Sequence, residues 1–356
     1  MKKIALMLAL SLPVVFTACN LDLNLEDLVG DLLGDVTVTA PGTTGTLDNE
    51  ELFGTIISST VKPQPEGKYF AEGDLAMTLT CTDKIQFTLP TDATGNDMIL
   101  NFEGVPSFMN NSSSSYQLGD VCLVLDVKNG IDADVIVSFK ILNTDTGTDV
   151  DAEFTLPAGT EKADLAFSAK GPFYDEEYVL GSLASVLSPL PASVKVHDFK
   201  FADHNSKSLT KAAAGNIELS SMMIVPLSFT KGSKFVVSST LGNMGIKVDP
   251  ANLKGLGLKK LTAPANIVNT TPFDITIVSA GSGASVSFPT IKAGSIASPT
   301  TTTGQITVDN SNGDLYENIG NIAVTVTATA AEEVSQINKN QNIVITCEEY
   351  SVTVSK

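Results

Sequence analysis

The sequence predicts an all-β protein of two β-sandwich-like domains with a few short helices, the two related by an internal duplication. Three observations carry this expectation. Apolar and polar residues alternate with period two through most of the chain, as in strands with one buried face. The alternating runs are rich in β-branched residues and are cut by Gly, Pro and Asn, which suits antiparallel sheet joined by turns. One stretch recurs: "VKNGIDADVIVSFKIL" from Val127 is matched by "IVNTTPFDITIVSAG" from Ile267.

The N-terminus reads as a secretory signal over residues 1–18. Lys2 and Lys3 give a positive start, Ile4 to Phe16 is mostly apolar, and Thr17 and Ala18 are small. The apolar run is shorter than the ~20 residues that span a bilayer. The stretch "FTAC" at 16–19 resembles the lipobox of bacterial lipoproteins, with Phe16 where leucine is usual. That resemblance implies cleavage before Cys19 and attachment of diacylglycerol to its thiol, so that membrane lipid is the first expected partner. Several acyl chains anchor stably because each buried methylene contributes about 0.8 kcal/mol.

Residues 19–50 read as a lipidated N-terminus and tether. "NLDLNLEDLVGDLLGD" (20–35) carries acids among leucines, and residues 40–50 are rich in Gly and Thr. The acids near Cys19 resemble the surface-export signals of Bacteroidetes lipoproteins.

The first sandwich is expected over 51–185. Its strands are "DLAMTLTC" (74–81), "KIQFTLP" (84–90), "VCLVLDV" (121–127), "DVIVSFKIL" (134–142), "DVDAEFTLP" (149–157) and "ADLAFSA" (163–169). The second is expected over 186–356, with "KFVVSST" (234–240), "FDITIVSA" (273–280), "ASVSFPTI" (284–291), "GQITVDN" (304–310), "NIAVTVTATA" (321–330) and "QNIVITCEEYSVTVSK" (341–356). Short helices are expected at 178–187, stopped by Pro189 and Pro191, and at 331–338. Within the repeat, Asn129 matches Asn269 and Asp134 matches Asp274; further on, Ala158-Gly159 matches Ala293-Gly294. Each copy reads as strand, turn, strand, Ala-Gly turn, strand.

Composition narrows the functional classes. The formal net charge is −18 and every basic residue is Lys. A secreted acidic chain lacking the bidentate donor Arg is not expected to bind nucleic acid. Charge is uneven: residues 120–178 hold 13 Asp or Glu against 4 Lys, whereas 195–260 hold 10 Lys against 4 Asp or Glu. This is either two solvated surfaces or a polar molecule that docks on an anionic surface. Aromatic residues are 6% and Trp is absent. With Cys19 lipidated, Cys81, Cys122 and Cys347 remain; Cys81 and Cys122 form a bridge, or all three are buried thiols.

Candidates for chemistry are few. Asn143, Asp145, Asp149, Asp151 and Glu153 offer hard oxygen ligands for Ca²⁺ but lack the order of a calcium loop. If a strand starts at Asp149, its acids face water on a solvated hairpin. His197 and His204 flank Asp198 and Asp203, an acid–base grouping without a serine nucleophile motif beside it. Alternation from Val194 would put Val196 and Asp198 on one face and His197 with Phe199 on the other. "LKGLGLKKL" (253–261) suggests an apolar edge packed on a sheet. The expectation is no enzyme, no cofactor, no metal and no catalytic residue.

The lipobox, the two β-rich halves and the closing "INKNQNIVITCEEYSVTVS" (337–355) together resemble uncharacterised two-domain Bacteroidetes surface lipoproteins and, more weakly, fimbrillin-like adhesins. The Arg-directed processing site of the latter has no counterpart in a chain without Arg. The resemblance implies a protein anchored in the bacterial outer membrane and exposed at the surface, acting in adhesion, surface assembly or ligand binding. The alternative is a surface lipoprotein that binds a glycan or a small hydrophobic molecule for nutrient capture.

Overall fold

Strands follow the alternation almost everywhere. The computed structural model describes residues 36–355 except 55, 82–83, 90–96, 162, 176, 203–214, 247–256, 282–283, 311–318 and 335. The described residues open with β1 (Val36–Pro41), β2 (Thr44–Asp48) and the helix α1 (Asn49–Phe53). There follow β3 (Val61–Pro63), β4 (Leu75–Thr80), β5 (Ile85–Leu89), β6 (Met98–Asn101), β7 (Cys122–Asn129), β8 (Val135–Asn143), β9 (Asp149–Leu156), β10 (Ala163–Ser168) and β11 (Glu177–Val179). The helix α2 (Leu183–Val186) precedes β12 (Ser193–Ala202), β13 (Gly215–Pro226), β14 (Lys234–Thr240), β15 (Gly257–Asn269), β16 (Phe273–Ser279) and β17 (Ser285–Ser287). Last come β18 (Thr300–Asp309), β19 (Ala323–Ala330), β20 (Asn342–Cys347) and β21 (Glu349–Ser355). The fold is thus almost all β, with three sheets among the described residues.

The chain divides into two compact units, one inserted in the sequence of the other. The inserted unit holds residues 55–233 and 332–339; the terminal unit holds the residues up to Gly54, 234–331 and 340–356. The expected boundary at 185/186 therefore falls within the inserted unit. Strand pairing explains this, because β12 pairs with β6 and β8, and β13 with β4, β5 and β7. The supposed tether also differs. Its described part is paired strand, β1 with β21 and β2 with β20, followed by α1. The helix starts there because Asp48 Oδ1 accepts from the N–H groups of Glu50 (2.8 Å) and Glu51 (3.0 Å), while Glu51 Oε2 accepts from the Asp48 N–H (2.7 Å).

In the inserted unit, one sheet runs β11-β10-β7-β13-β4-β3, with β5 also beside β13; the other runs β6-β12-β8-β9. Every second residue of β8 is buried, and those of β9 follow from Ala152 onward. The two inner faces meet through aromatic rings: Phe139 lies edge-on to Phe167 at 5.3 Å, and Phe87 packs against Phe199 at 5.1 Å. Each such fully buried side chain contributes about 1.5–3 kcal/mol.

In the terminal unit, a single sheet runs β1-β21-β15-β18-β17-β16-β19-β14, with β20 beside β15 and β2 beside β20. Alternate residues of its strands are buried, among them Ile267, Ile275, Ile306, Val326 and Ile345, so the sheet curls to cover its own inner face. Phe273 sits in that core, edge-on to Phe53 at 5.5 Å and to Phe235 at 5.8 Å.

The neighbour relations of the two units coincide. In the inserted unit they are β4/β5-β13-β7-β10 and β6-β12-β8-β9; in the terminal unit they are β1/β2-β20/β21-β15-β18 and β14-β19-β16-β17. What makes one sheet of the latter is the extra pairing of β17 with β18.

The matched asparagines make matched hydrogen bonds. Asn129 Nδ2 donates to the carbonyls of Ala133 (3.1 Å) and Pro157 (2.8 Å), and its Oδ1 accepts from the Ile131 N–H (2.9 Å). Asn269 Nδ2 donates to Phe273 (3.0 Å) and Lys292 (2.8 Å), and its Oδ1 accepts from the Thr271 N–H (2.7 Å). Asp134 then accepts from the Ala158 N–H at 2.9 Å as Asp274 does from that of Ala293 at 2.8 Å. The glycines that follow serve different needs. Gly159 has φ +63°, which favours glycine, whereas a Cβ on Gly294 would lie 2.1 Å from the Asn269 carbonyl.

Two helix expectations change. The segment at 178–187 yields only the last residues of β11 and the four-residue α2. The described residues of 331–338 form no helix. Val334 exchanges backbone hydrogen bonds with Phe229 at 2.8 Å, and Ile337 bonds Leu227 and Leu75. Pairing in this way buries Val334 and Ile337, which decides against the helix.

Candidate binding cleft on the four-stranded sheet

Short and long side chains of three strands leave a cleft on the outer face of the β6-β12-β8-β9 sheet. It has a volume of ≈ 250 Å³ and is lined by Ser138 and Lys140 of β8, Asp151 and Glu153 of β9, and Asp198 and Lys200 of β12, with the backbone of Phe139 and Ala152 below. The alternation of β8 and β9 builds it. Phe139 and Ala152 are buried in the core, so their neighbours point outward.

A β-bulge shapes the third wall. Val194 and Val196 are buried, but the next buried side chain is Phe199, three residues on. Register with β8 shifts between His197 and Lys200, and Asp198 takes φ +57°. Asp tolerates this left-handed region better than most residues. The extra residue bends the strand and turns Asp198 and Lys200 toward the cleft. It also corrects the expected faces: Phe199 joins Val196 in the core, and His197 is opposite Lys140 on the other side.

Opposite charges are paired across these walls. Lys140 Nζ lies 3.0 Å from Asp149 and 3.5 Å from Asp151; Lys200 Nζ lies 3.4 Å from Asp198. The hydrogen bond to Asp149, then the charges of Asp149 and Asp151, hold the Lys140 ammonium above its ordinary pKa. Ser138 stands between Lys200 and Glu153 in the cross-strand register, a short side chain between two long ones.

The other sequence candidates resolve as follows. Asp149, Asp151 and Glu153 are exposed along the hairpin, as the strand reading required. Asn143 instead caps the turn, its Oδ1 accepting from Asp145 (2.9 Å) and Thr146 (3.1 Å), and Asp145 accepts from Ala192 (2.9 Å). Among the described residues no three acids, His or Cys converge as metal ligands. His197 has an enclosed Nε2 without a hydrogen-bond partner, while Asp203 and His204 lie outside the described residues. Cys19 also lies outside them. Cys81, Cys122 and Cys347 are buried and unbridged, which decides between the two readings of the thiols. Of "LKGLGLKKL", residues 253–256 lie outside the described residues and the rest begins β15, with Leu261 fully buried.

The charge contrast is met locally. Lys195 pairs with Asp97, Lys231 with Glu332 and Lys260 with Asp309, so part of the basic stretch is neutralised by nearby acids. Among the described residues no helix is long and apolar enough to cross a membrane.

Sequence reasoning missed the cleft. Its signal was the spacing Val196 to Phe199, a break in the period of two that marks a bulge.

No family model matches the sequence, and no curated protein matches it. Among solved structures, the chain is similar to a provisionally named secreted protein of Parabacteroides distasonis, at 12% identity and TM-score 0.58, over 90% of this chain and 99% of that one. The two share a fold. Matches to PfGH50B (11% identity, TM-score 0.24, 41% of this chain and 23% of that) and to the cowpea mosaic virus top component (10%, 0.23, 85% and 95%) are too weak to bear on it.

Proposed function

We propose that this is a non-catalytic protein of the bacterial cell envelope, anchored in the outer membrane through lipid on Cys19 and acting at the surface in adhesion, assembly or ligand binding. Its two units are read as copies of one eight-stranded jelly-roll sandwich. The observation that carries this is the pair of asparagine clamps at Asn129 and Asn269, set in the same strand order. Buried polar groups go to architecture in the same way elsewhere. Asp120 accepts from the N–H groups of Val121, Ala169, Lys170 and Gly171 at 2.8–3.1 Å. A chain that uses its buried polar groups on backbone suits a binding scaffold more than a catalyst. The signal-like N-terminus and the secreted designation of the Parabacteroides protein support export.

The alternative, a ligand-capturing lipoprotein, is favoured toward glycans by the hydroxyl and charged side chains that line the cleft.

The anchor is tested by growing cells with an alkyne-tagged fatty acid. The wild-type chain should take up label and pellet with outer membranes, and Cys19→Ala should do neither. Equal labelling of the two would sink the anchor.

A further inference from the structure

We infer that the outer-face cleft of the inserted unit binds a neutral, polyhydroxylated saccharide, seated over Ser138 between Lys200 and Glu153. This rests on the reading of the protein as a surface binding module. Charge decides the ligand class. The cleft's lysines already have carboxylate partners, Lys140 with Asp149 and Asp151 and Lys200 with Asp198. An anionic ligand would have to displace a carboxylate from a lysine, and a cationic one would find among the described lining residues only Glu153 without a lysine partner, set beside Lys200 across Ser138. A neutral polyol displaces no partner, since each hydroxyl both accepts and donates. Its oxygens can accept from Lys140 and Lys200 while its O–H groups donate to Asp151, Glu153 and Asp198.

Geometry agrees. The residues come from three adjacent strands about 4.8 Å apart, with same-face neighbours about 6.8 Å apart along each strand. That grid spans one sugar ring and part of a second. Ser138 keeps the centre open, because it faces Lys200 on one side and Glu153 on the other while contributing little volume itself. The walls are set by sheet and bulge rather than by a loop, so little ordering is needed on binding.

The test uses the full mature chain in affinity gel electrophoresis against soluble starch, galactan, xylan and mannan, with polygalacturonate and polylysine as charged comparators. At least one neutral polymer should retard the protein. Ser138→Leu, which fills the cleft from a position outside the core, should weaken that retardation at least tenfold, and Lys200→Ala should weaken it as well. Lys231→Ala, on a different element, should leave it unchanged, and all three variants should melt like the parent. Retardation by no neutral polymer, or by a charged comparator alone, overturns the ligand class. Retardation that survives Ser138→Leu overturns the site while leaving a surface glycan binder standing. The anchor reading is judged separately, by the labelling of Cys19.

Discussion

Asn129 and Asn269 show how one side chain can organise a turn. Each is almost fully buried and ties two carbonyls and one N–H of the turn, the Pro157 carbonyl also accepting from the Thr160 hydroxyl. Replacing either by alanine removes these three bonds at a buried turn, and a buried group left without a partner costs about 1–3 kcal/mol. Asn129→Ala and Asn269→Ala should each lower stability by about 2–4 kcal/mol, read by urea unfolding; a loss under half a kcal/mol in either would refute the clamp. The thiols make a second residue-scale prediction. Burial pushes the Cys122 and Cys347 thiols up from their ordinary range. A thiolate is the reactive form. Protein lacking Cys19 should therefore resist a disulfide reagent at pH 8 and release three equivalents in denaturant, matching the three buried cysteines. Fast reaction of the native protein would contradict the burial.

At the scale of elements, tyrosines link packing to pH. Burial raises the Tyr69 hydroxyl above its ordinary pKa, with the charge of Asp120 adding to the effect, and burial likewise raises Tyr116 and Tyr350. The folded state then keeps protons that the unfolded chain releases near pH 10. Their contribution is intact below that pH and is lost as pH rises beyond it. Melting temperature should fall above pH 10 as these three tyrosines ionise; ionisation of all three with the fold intact would argue against it. Strands were the most legible elements in the sequence because alternation is a direct image of one buried face. Residues 331–338 were not legible, since "AEEVSQI" has helical composition and only the backbone of Phe229 and Leu227 decides its state. The helix α1 was legible in principle, through the Asp48 and Glu51 pair, but lay inside a Gly/Thr-rich stretch.

At the scale of the molecule, the matched turn residues were legible and the boundary was not. Asn, Asp and Ala-Gly recur at fixed places because turns constrain residue type locally. Where a unit begins depends on which strands pair, and β13 announces nothing in its own sequence of its bonds to β4, β5 and β7. The cleft shared this difficulty, for its lining comes from three strands and only the bulge spacing hinted at it.

The nesting of one unit within the other bears on how the protein is made. Residues 332–339 return to the inserted unit and 340–356 to the terminal one, so the first strands synthesised wait for the last. During synthesis β1 and β2 emerge well before β20 and β21, which they must meet. Neither unit can finish early, and contacts so distant in sequence slow folding. A ribosome that stops ahead of Glu332 releases a chain with both units incomplete. Such fragments should be cleared by proteases, while full-length chains endure. The last strands to emerge thereby act as a check that translation reached them.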